Sequence, residues 1–363
     1  MPSPSHNHIF AISIPVGAYH PFLSSCFECL AHQKNDGLEV ALMDASNDPR
    51  VSALADQYAD LFAYRRHGPD QGQSDAIAEG WQHLSGDILG WLNADDCLFP
   101  DAITKAQTAF AADPSLDLVY GHSAIIDEDK AWCGYHWAVE RPSPRILEAG
   151  IISQPSCFFK RQAYEAIGGI NRDLHYTMDW DLWMRLYKSG TRFGFIDDVL
   201  STVLWGGDTK TSSFTPQRRA ELKQLISENA PPEIAKKTFR SFAIHHALEN
   251  LPTAWLRKKI TRHLIKGRAE IFGISGDGQL TNGAKLSMVH FDANPKNGVR
   301  LEIENNQNIE NFTLSGTGLK NSARNGREVD LEFSAPLRAG ELLTIDCAVA
   351  PKKTYFERAT WTS

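Results

Sequence analysis

The first half of the chain alternates short apolar runs with longer polar segments in which glycine and proline recur. Ile9 to Val16 is apolar enough for a strand buried on both faces, and the Gly17-Ala18-Tyr19-His20-Pro21 loop after it leads into a helix expected to end near Gln33. Leu38 to Met43 predicts a second strand and Pro49 to Ala59 a second helix. This opening belongs to an open α/β sheet. A helix is expected over Ala76 to His83, and the apolar run Ile88 to Leu92 then reads as a strand that delivers Asn93, Asp95 and Asp96 to its carboxyl end. In open α/β sheets that end is where ligands bind.

Further on, the pattern predicts a helix over Asp101 to Ala112, strands over Leu116 to Tyr120 and Ser123 to Ile126, and a strand-like run from Ile152. A short helix from Gln162 to Ile167 stops at Gly168-Gly169. Leu182, Leu186 and Tyr187 lie at helical spacing behind Asp179, and Val199 to Leu204 reads as a strand. From Pro216 to Phe272 the texture is helical, broken at Pro231-Pro232 and Pro252. Beyond it come alternating segments at Lys285 to Phe291, Val299 to Glu304, Asn311 to Ser315, Glu328 to Phe333, Leu342 to Val349 and Tyr355 to Trp361, which predict a β-sandwich. Gly273, Gly276 and Gly278 miss the G-x-G-x-x-G spacing and read as linker. The expected organisation is an α/β catalytic domain over 1–215, a helical linker over 216–274 and an all-β accessory domain over 275–363.

A chain of 363 residues with 42% apolar content has material for two cores. Its formal net charge of −7 argues against general polyanion binding, so no nucleic-acid partner is expected. The six scattered cysteines fit buried thiols in a reducing cytoplasm better than a zinc cluster. No run approaches the ~18 apolar residues that cross a bilayer. Thr253 to Phe272 could form a basic amphipathic helix, with Leu256, Ile260, Leu264 and Ile271 on one stripe. Such a helix packs a linker on the catalytic domain or makes weak peripheral contact with the inner face of an anionic membrane, and both readings stand.

The candidate chemistry centres on the stretch from Ser85 to Pro100. Carboxylates crowded like Asp95 and Asp96 repel one another unless a cation lies between them, and hard oxygen donors favour Mn²⁺ or Mg²⁺ with places left for a diphosphate. The alternative is an acidic turn in which Asp96 caps the next helix. In Asp70-Gln-Gly-Gln-Ser-Asp, Ser74 or Asp75 is expected as N-cap of a helix whose free N–H groups can receive phosphate. Trp132, Tyr135, His136 and Trp137 gather aromatics in a polar loop, where they stack on sugar faces or fill a core. Asp181 and Arg185 should pair across one helical turn, and Asp179 stands where that helix begins.

Two segments in order, Asp70-Gln-Gly-Gln-Ser-Asp-Ala and Ser-Gly-Asp-Ile-Leu-Gly-Trp-Leu-Asn-Ala-Asp-Asp, resemble the inverting, GT-A-type family 2 glycosyltransferases. The resemblance covers roughly residues 8 to 215. It implies a nucleotide-sugar donor held by Tyr19 and Asp44, with Asp70, Gln73, Ser74 and Asn93 as further donor contacts, and a metal on Asp95 and Asp96. It also implies that Asp179 acts as general base on an acceptor hydroxyl. Ala78 stands where the family usually has Asn, and the His that many relatives carry after the last strand is absent, leaving Asp208 or Lys210 to meet the diphosphate. The expected activity is hexosyl or N-acetylhexosaminyl transfer, from a UDP-sugar by preference, to a saccharide or lipid-linked saccharide in polysaccharide or surface-glycan synthesis. The chain lacks Q-x-x-R-W and spanning segments, which argues against a processive synthase. A sugar-phosphate nucleotidyltransferase would need a Gly/Arg/Lys-rich signature near the first strand, and none is present. The other alternative is a non-catalytic carbohydrate-binding protein. The sandwich is expected to bind acceptor or mediate homo-oligomerisation.

Overall fold

The structure is a computed structural model that describes residues 8–33, 37–206, 215–249, 260, 270–305, 313–316, 318–349 and 354–362. In chain order the elements are β1 (Phe10–Val16), α1 (Leu23–Gln33), β2 (Leu38–Asp44), α2 (Pro49–Gln57), β3 (Tyr64–His67), α3 (Gln73–Gln82), β4 (Ile88–Trp91), β5 (Cys97–Leu98), α4 (Ala102–Ala112) and β6 (Leu118–Ile126). They continue as β7 (Trp132–Tyr135), β8 (Cys157–Lys160), α5 (Arg161–Ala166), α6 (Met178–Lys188), β9 (Phe193–Leu204), α7 (Pro216–Asn229) and α8 (Pro232–Glu249). Two compact units result, one of Met1–His122, Val139–Thr202 and Ser213–Phe239, the other of Ser123–Ala138, Val203–Ser212 and Arg240–Ser363.

The first unit is a mixed sheet in the order β3-β2-β1-β4-β8-β6, parallel from β3 to β4 and antiparallel from there on. All seven residues of β1 are buried, as a strand covered on both faces requires. The edge strand β3, Tyr-Arg-Arg-His, carries no apolar alternation and was not expected; its charge suits an unpaired edge. Leu118 to Ile126 forms one strand rather than two. Gly121 interrupts the apolar pattern because a side chain there would lie 2.8 Å from Leu200 Cδ1 and 2.9 Å from the carbonyls of Ile196 and Asp198. The run from Ile152 is likewise not all strand, since Gln154–Ser156 forms a 3₁₀ turn ahead of β8.

The second unit is antiparallel. Its remaining strands are β10 (Glu270–Ile271), β11 (Ile274–Ser275), β12 (Ala284–Met288), β13 (Lys296–Asn305), β14 (Thr313–Gly316), β15 (Leu319–Asn325), β16 (Glu328–Leu337), β17 (Leu343–Val349) and β18 (Thr354–Thr362). One sheet runs β7-β18-β13-β16-β15 and another β12-β17-β14. Leu286, Val299, Leu301, Val329, Leu331, Ile345 and Phe356 are buried at alternating positions, in keeping with the period of a half-buried strand. Trp132 and Tyr135 lie in a strand, not in a polar loop: Trp132 is buried with its ring 5.0 Å from Phe356, so it fills the core. Helix was expected through Phe272 and linker beyond, but β10 and β11 close a hairpin there. Phe272 and Gly273, at φ 47° and 75°, supply the two left-handed residues of a type I′ turn. The rest of the basic stretch, 253–259 and 261–269, lies outside the described residues.

Candidate active site

The four residues of β4 are buried, and the turn at its carboxyl end is fixed by side-chain amides. Asn93 Nδ2 donates to Asp96 Oδ2 at 2.9 Å and to Gln154 Oε1 at 3.2 Å, while its Oδ1 accepts from Gln73 Nε2 at 2.7 Å. Gln154 Nε2 in turn donates to the Trp91 carbonyl at 2.7 Å. Asp96 is buried, and burial first, then the charge of Asp95, raises its proton affinity well above the carboxylate norm. Asp95 remains partly exposed and makes no hydrogen bond among the described residues. Asp96 does not cap the next helix, because β5 intervenes and Asp101 occupies the N-cap of α4. Among the described residues no three His, Cys, Asp or Glu side chains converge on a metal position. Two adjacent carboxylates, one free and one with a raised proton affinity, nevertheless fit a hard divalent cation that takes its other ligands from a diphosphate.

At the end of β2, Asp44 is buried, with Oδ1 accepting from Ser46 N at 2.8 Å and Ser46 Oγ at 2.5 Å and Oδ2 bound to His67 Nδ1 at 2.8 Å. A cavity of about 240 Å³ opens beside it, lined by Asn47, Asp48, Pro49, Ser52, His67 and Gly68. Tyr19, in the loop after β1, lies under the Arg50 guanidinium at 4.0 Å, and Arg50 pairs with Asp48 at 2.6 Å. The first turn of α3 points other groups elsewhere. Its N-cap is Gly72 rather than Ser74 or Asp75, at a φ of 124° that favours glycine. The Ser74 hydroxyl donates to the Leu174 carbonyl at 2.9 Å, and Asp75 pairs with Arg172. Asp70 accepts from Gly72 N at 2.9 Å and faces Arg66 at 3.6 Å. Asp208 and Lys210 lie outside the described residues.

Asp179 sits in the first turn of α6, one residue inside the helix, so it is not the cap; Thr177 is, without a side-chain hydrogen bond of its own to the helix. Burial raises the proton affinity of Asp179, while the N–H of Trp180 at 2.8 Å and the charge of Arg218 pull it down in part. One turn further, Trp183 stacks on Trp91 of β4, with centroids 5.8 Å apart, so both acidic sites rest on one aromatic core. Arg185 pairs with Asp181 at 2.8 Å across one turn, as the spacing predicts. His67, Gln154, Arg218 and Glu221 were missed. His67 lies on the unexpected β3 and Gln154 in the 3₁₀ turn, where Pro155 directly after it was the available signal.

A mixed sheet with a cleft beside β2 and paired carboxylates after β4 is in keeping with a GT-A fold. The chain is similar in fold to S. aureus TarS 1–349 in complex with UDP-GlcNAc, at a TM-score of 0.50 and 12% identity over 70% of this chain and 77% of that one.

 That likeness shows the fold. Residues 12–168 match the sequence model of glycosyl transferase family 2. Chondroitin synthase of Escherichia coli is 26% identical over 229 residues, which are 60% of this chain and 32% of that protein. The PGL/p-HBAD biosynthesis glycosyltransferase of Mycobacterium bovis (strain BCG / Pasteur 1173P2) is 25% identical over 185 residues, 50% of this chain and 70% of that one. The chain thus spans about a third or less of the length of the synthases it matches. No helix among the described residues is long and apolar enough to cross a membrane, and the six cysteines are free thiols.

Proposed function

We propose that the protein is an inverting glycosyltransferase that moves a sugar from a nucleoside-diphosphate donor to a hydroxyl of a saccharide or lipid-linked saccharide, in polysaccharide or surface-glycan synthesis. The arrangement at the end of β4 carries this reading: Asn93, Asp96 and Gln154 are locked together and Asp95 is left without a hydrogen bond among the described residues. Asp95, with Asp96 behind it, would hold Mn²⁺ or Mg²⁺. Such an ion supplies neutralising charge to the diphosphate. The N-terminus of α3 adds a second source of positive potential.

The donor base belongs in the cleft beside Asp44. A carboxylate offers about four lone-pair positions, and Ser46 and His67 take three of those on Asp44. The one that remains suits the single ring N–H of uracil better than the paired N–H groups of guanine, which favours a UDP-sugar. Asp179 accepts the proton of the acceptor hydroxyl as its oxygen bonds to the anomeric carbon and the bond from that carbon to the diphosphate oxygen breaks. A single displacement inverts the anomeric configuration. A sugar hydroxyl has too high a pKa to ionise in advance, so the proton must leave during attack, and a raised carboxylate pKa matches base to task better than an ordinary one.

Screening UDP-, GDP- and dTDP-sugars with Mn²⁺ for transfer or hydrolysis, with the product anomer read by NMR, tests this reading. A UDP-sugar giving an inverted product is expected. A protein that bound saccharide but neither bound nor consumed any of these donors would instead be a non-catalytic carbohydrate-binding protein.

A further inference from the structure

The segment before Asp179 is held from two sides. On one side, α3 of the donor site reaches it: Ser74 Oγ donates to the Leu174 carbonyl at 2.9 Å, and Asp75 pairs with Arg172 at 2.5 Å. On the other side stands Glu221 of α7, which is buried. Its Oε1 accepts from His175 N at 3.2 Å, and its Oε2 accepts from Tyr176 N at 2.8 Å and Thr177 Oγ at 3.4 Å. Gln217 Nε2 adds a contact at 3.4 Å.

A buried carboxylate is costly unless it is well bonded, so its presence at this point needs a reason. Thr177, the N-cap of α6, forms no side-chain bond to the helix, and its hydroxyl is directed to Glu221 instead. Glu221 therefore does from a distant helix what a local cap would do. It fixes the three residues that lead into α6 and so sets where the first turn, with Asp179, begins. The same α7 brings Arg218, one turn earlier, close enough for its charge to act on Asp179.

We propose that Glu221 is a positioning residue: through the backbone of His175 and Tyr176 it holds Asp179 in the geometry needed to take a proton from the acceptor. The proposal rests on the reading of Asp179 as the base. Misplacement of a reacting group by about 1 Å can cost ~10²-fold in rate. Glu221→Gln keeps an acceptor oxygen but turns an amide toward one of the two N–H groups, and should lower kcat for transfer by roughly 10- to 10²-fold at unchanged donor affinity.

The decisive experiment is a cycle of Glu221→Gln, Asp179→Asn and the double variant in the full chain, with kcat and the calorimetric donor Kd measured for each. If Glu221 acts through Asp179, the double variant is no slower than Asp179→Asn alone. Losses that multiply, or a folded Glu221→Gln variant with the wild-type kcat, would overturn the proposal. Normal transfer by Asp179→Asn would instead overturn the reading of Asp179 as base, which keeps the two failures apart. Should Glu221→Gln not fold, Glu221→Asp, which retains the charge but withdraws it by one methylene, takes its place in the cycle with the same two outcomes.

Discussion

Asp96 and Asp179 lie in the same unit, on segments whose Trp91 and Trp183 stack on one another, and burial raises the proton affinity of both. Their second influences differ. Asp96 has another carboxylate next to it, which raises its proton affinity further, whereas Asp179 has the Trp180 N–H and the Arg218 guanidinium, which lower it. The first environment gains most from a cation, the second from a proton that can be taken up and released. The supports differ as well. Asp96 is held by Asn93, three residues away, and Asp179 by a loop that a distant helix fixes. Under the proposed function, what surrounds these two acidic groups of the same chemistry would give one a donor-binding role and the other a proton-transfer role.

The contrast breaks most completely at Asp95. Asp95→Ala should lower Mn²⁺-dependent donor affinity by ~10²-fold or more, about 2.7 kcal/mol, because Asp96 is already bonded to Asn93. Calorimetric titration with and without Mn²⁺ checks this, and unchanged affinity would remove the metal assignment. A smaller effect concerns protons. Since Asp179 must be ionised to act and its proton affinity is raised, transfer should increase with pH through an acid limb above the ordinary carboxylate range. Arg218→Gln removes a charge that favours the ionised form, so the limb should move to higher pH; a shift to lower pH in the kcat profile would contradict the assignment. The smallest effect is thermal. Mn²⁺ at roughly ten times its Kd should stabilise wild type and Asp179→Asn by about 1.4 kcal/mol and leave Asp95→Ala unchanged. Equal rises in melting temperature in all three proteins would place the ion elsewhere.

How much of this was legible in the sequence depends on how local each feature is. The strands β1, β2 and β4 are continuous apolar runs, and α4 has plain helical periodicity, so their existence could be read directly. The acidic turn after β4 was equally legible, because strand, Asn93, Asp95 and Asp96 are contiguous. Features held by distant partners were not. Trp132 and Tyr135 read as a polar loop because their partners come far later in the chain: β18 pairs with Trp132 more than two hundred residues on, and β12 bonds the Tyr135 hydroxyl. Glu221 reads as one more acid on a polar helix until the loop it bonds is folded against it. His67 belongs to an edge strand that needs no apolar pattern, and Arg161, whose guanidinium ties together the carbonyls of Trp81, Leu84 and Gly86, carries no local signal.

The separation of roles is tested most directly by Asp179→Asn, with the rate of sugar transfer, the donor Kd in Mn²⁺ and the melting temperature measured on the same preparation. Transfer lower by at least ~10²-fold, the low end for loss of a general base, with donor affinity and melting temperature close to wild type, is the expected result. A variant that transfers at the wild-type rate, or one that loses donor affinity in step with rate, would contradict the assignment of proton transfer to Asp179 and donor binding to Asp95.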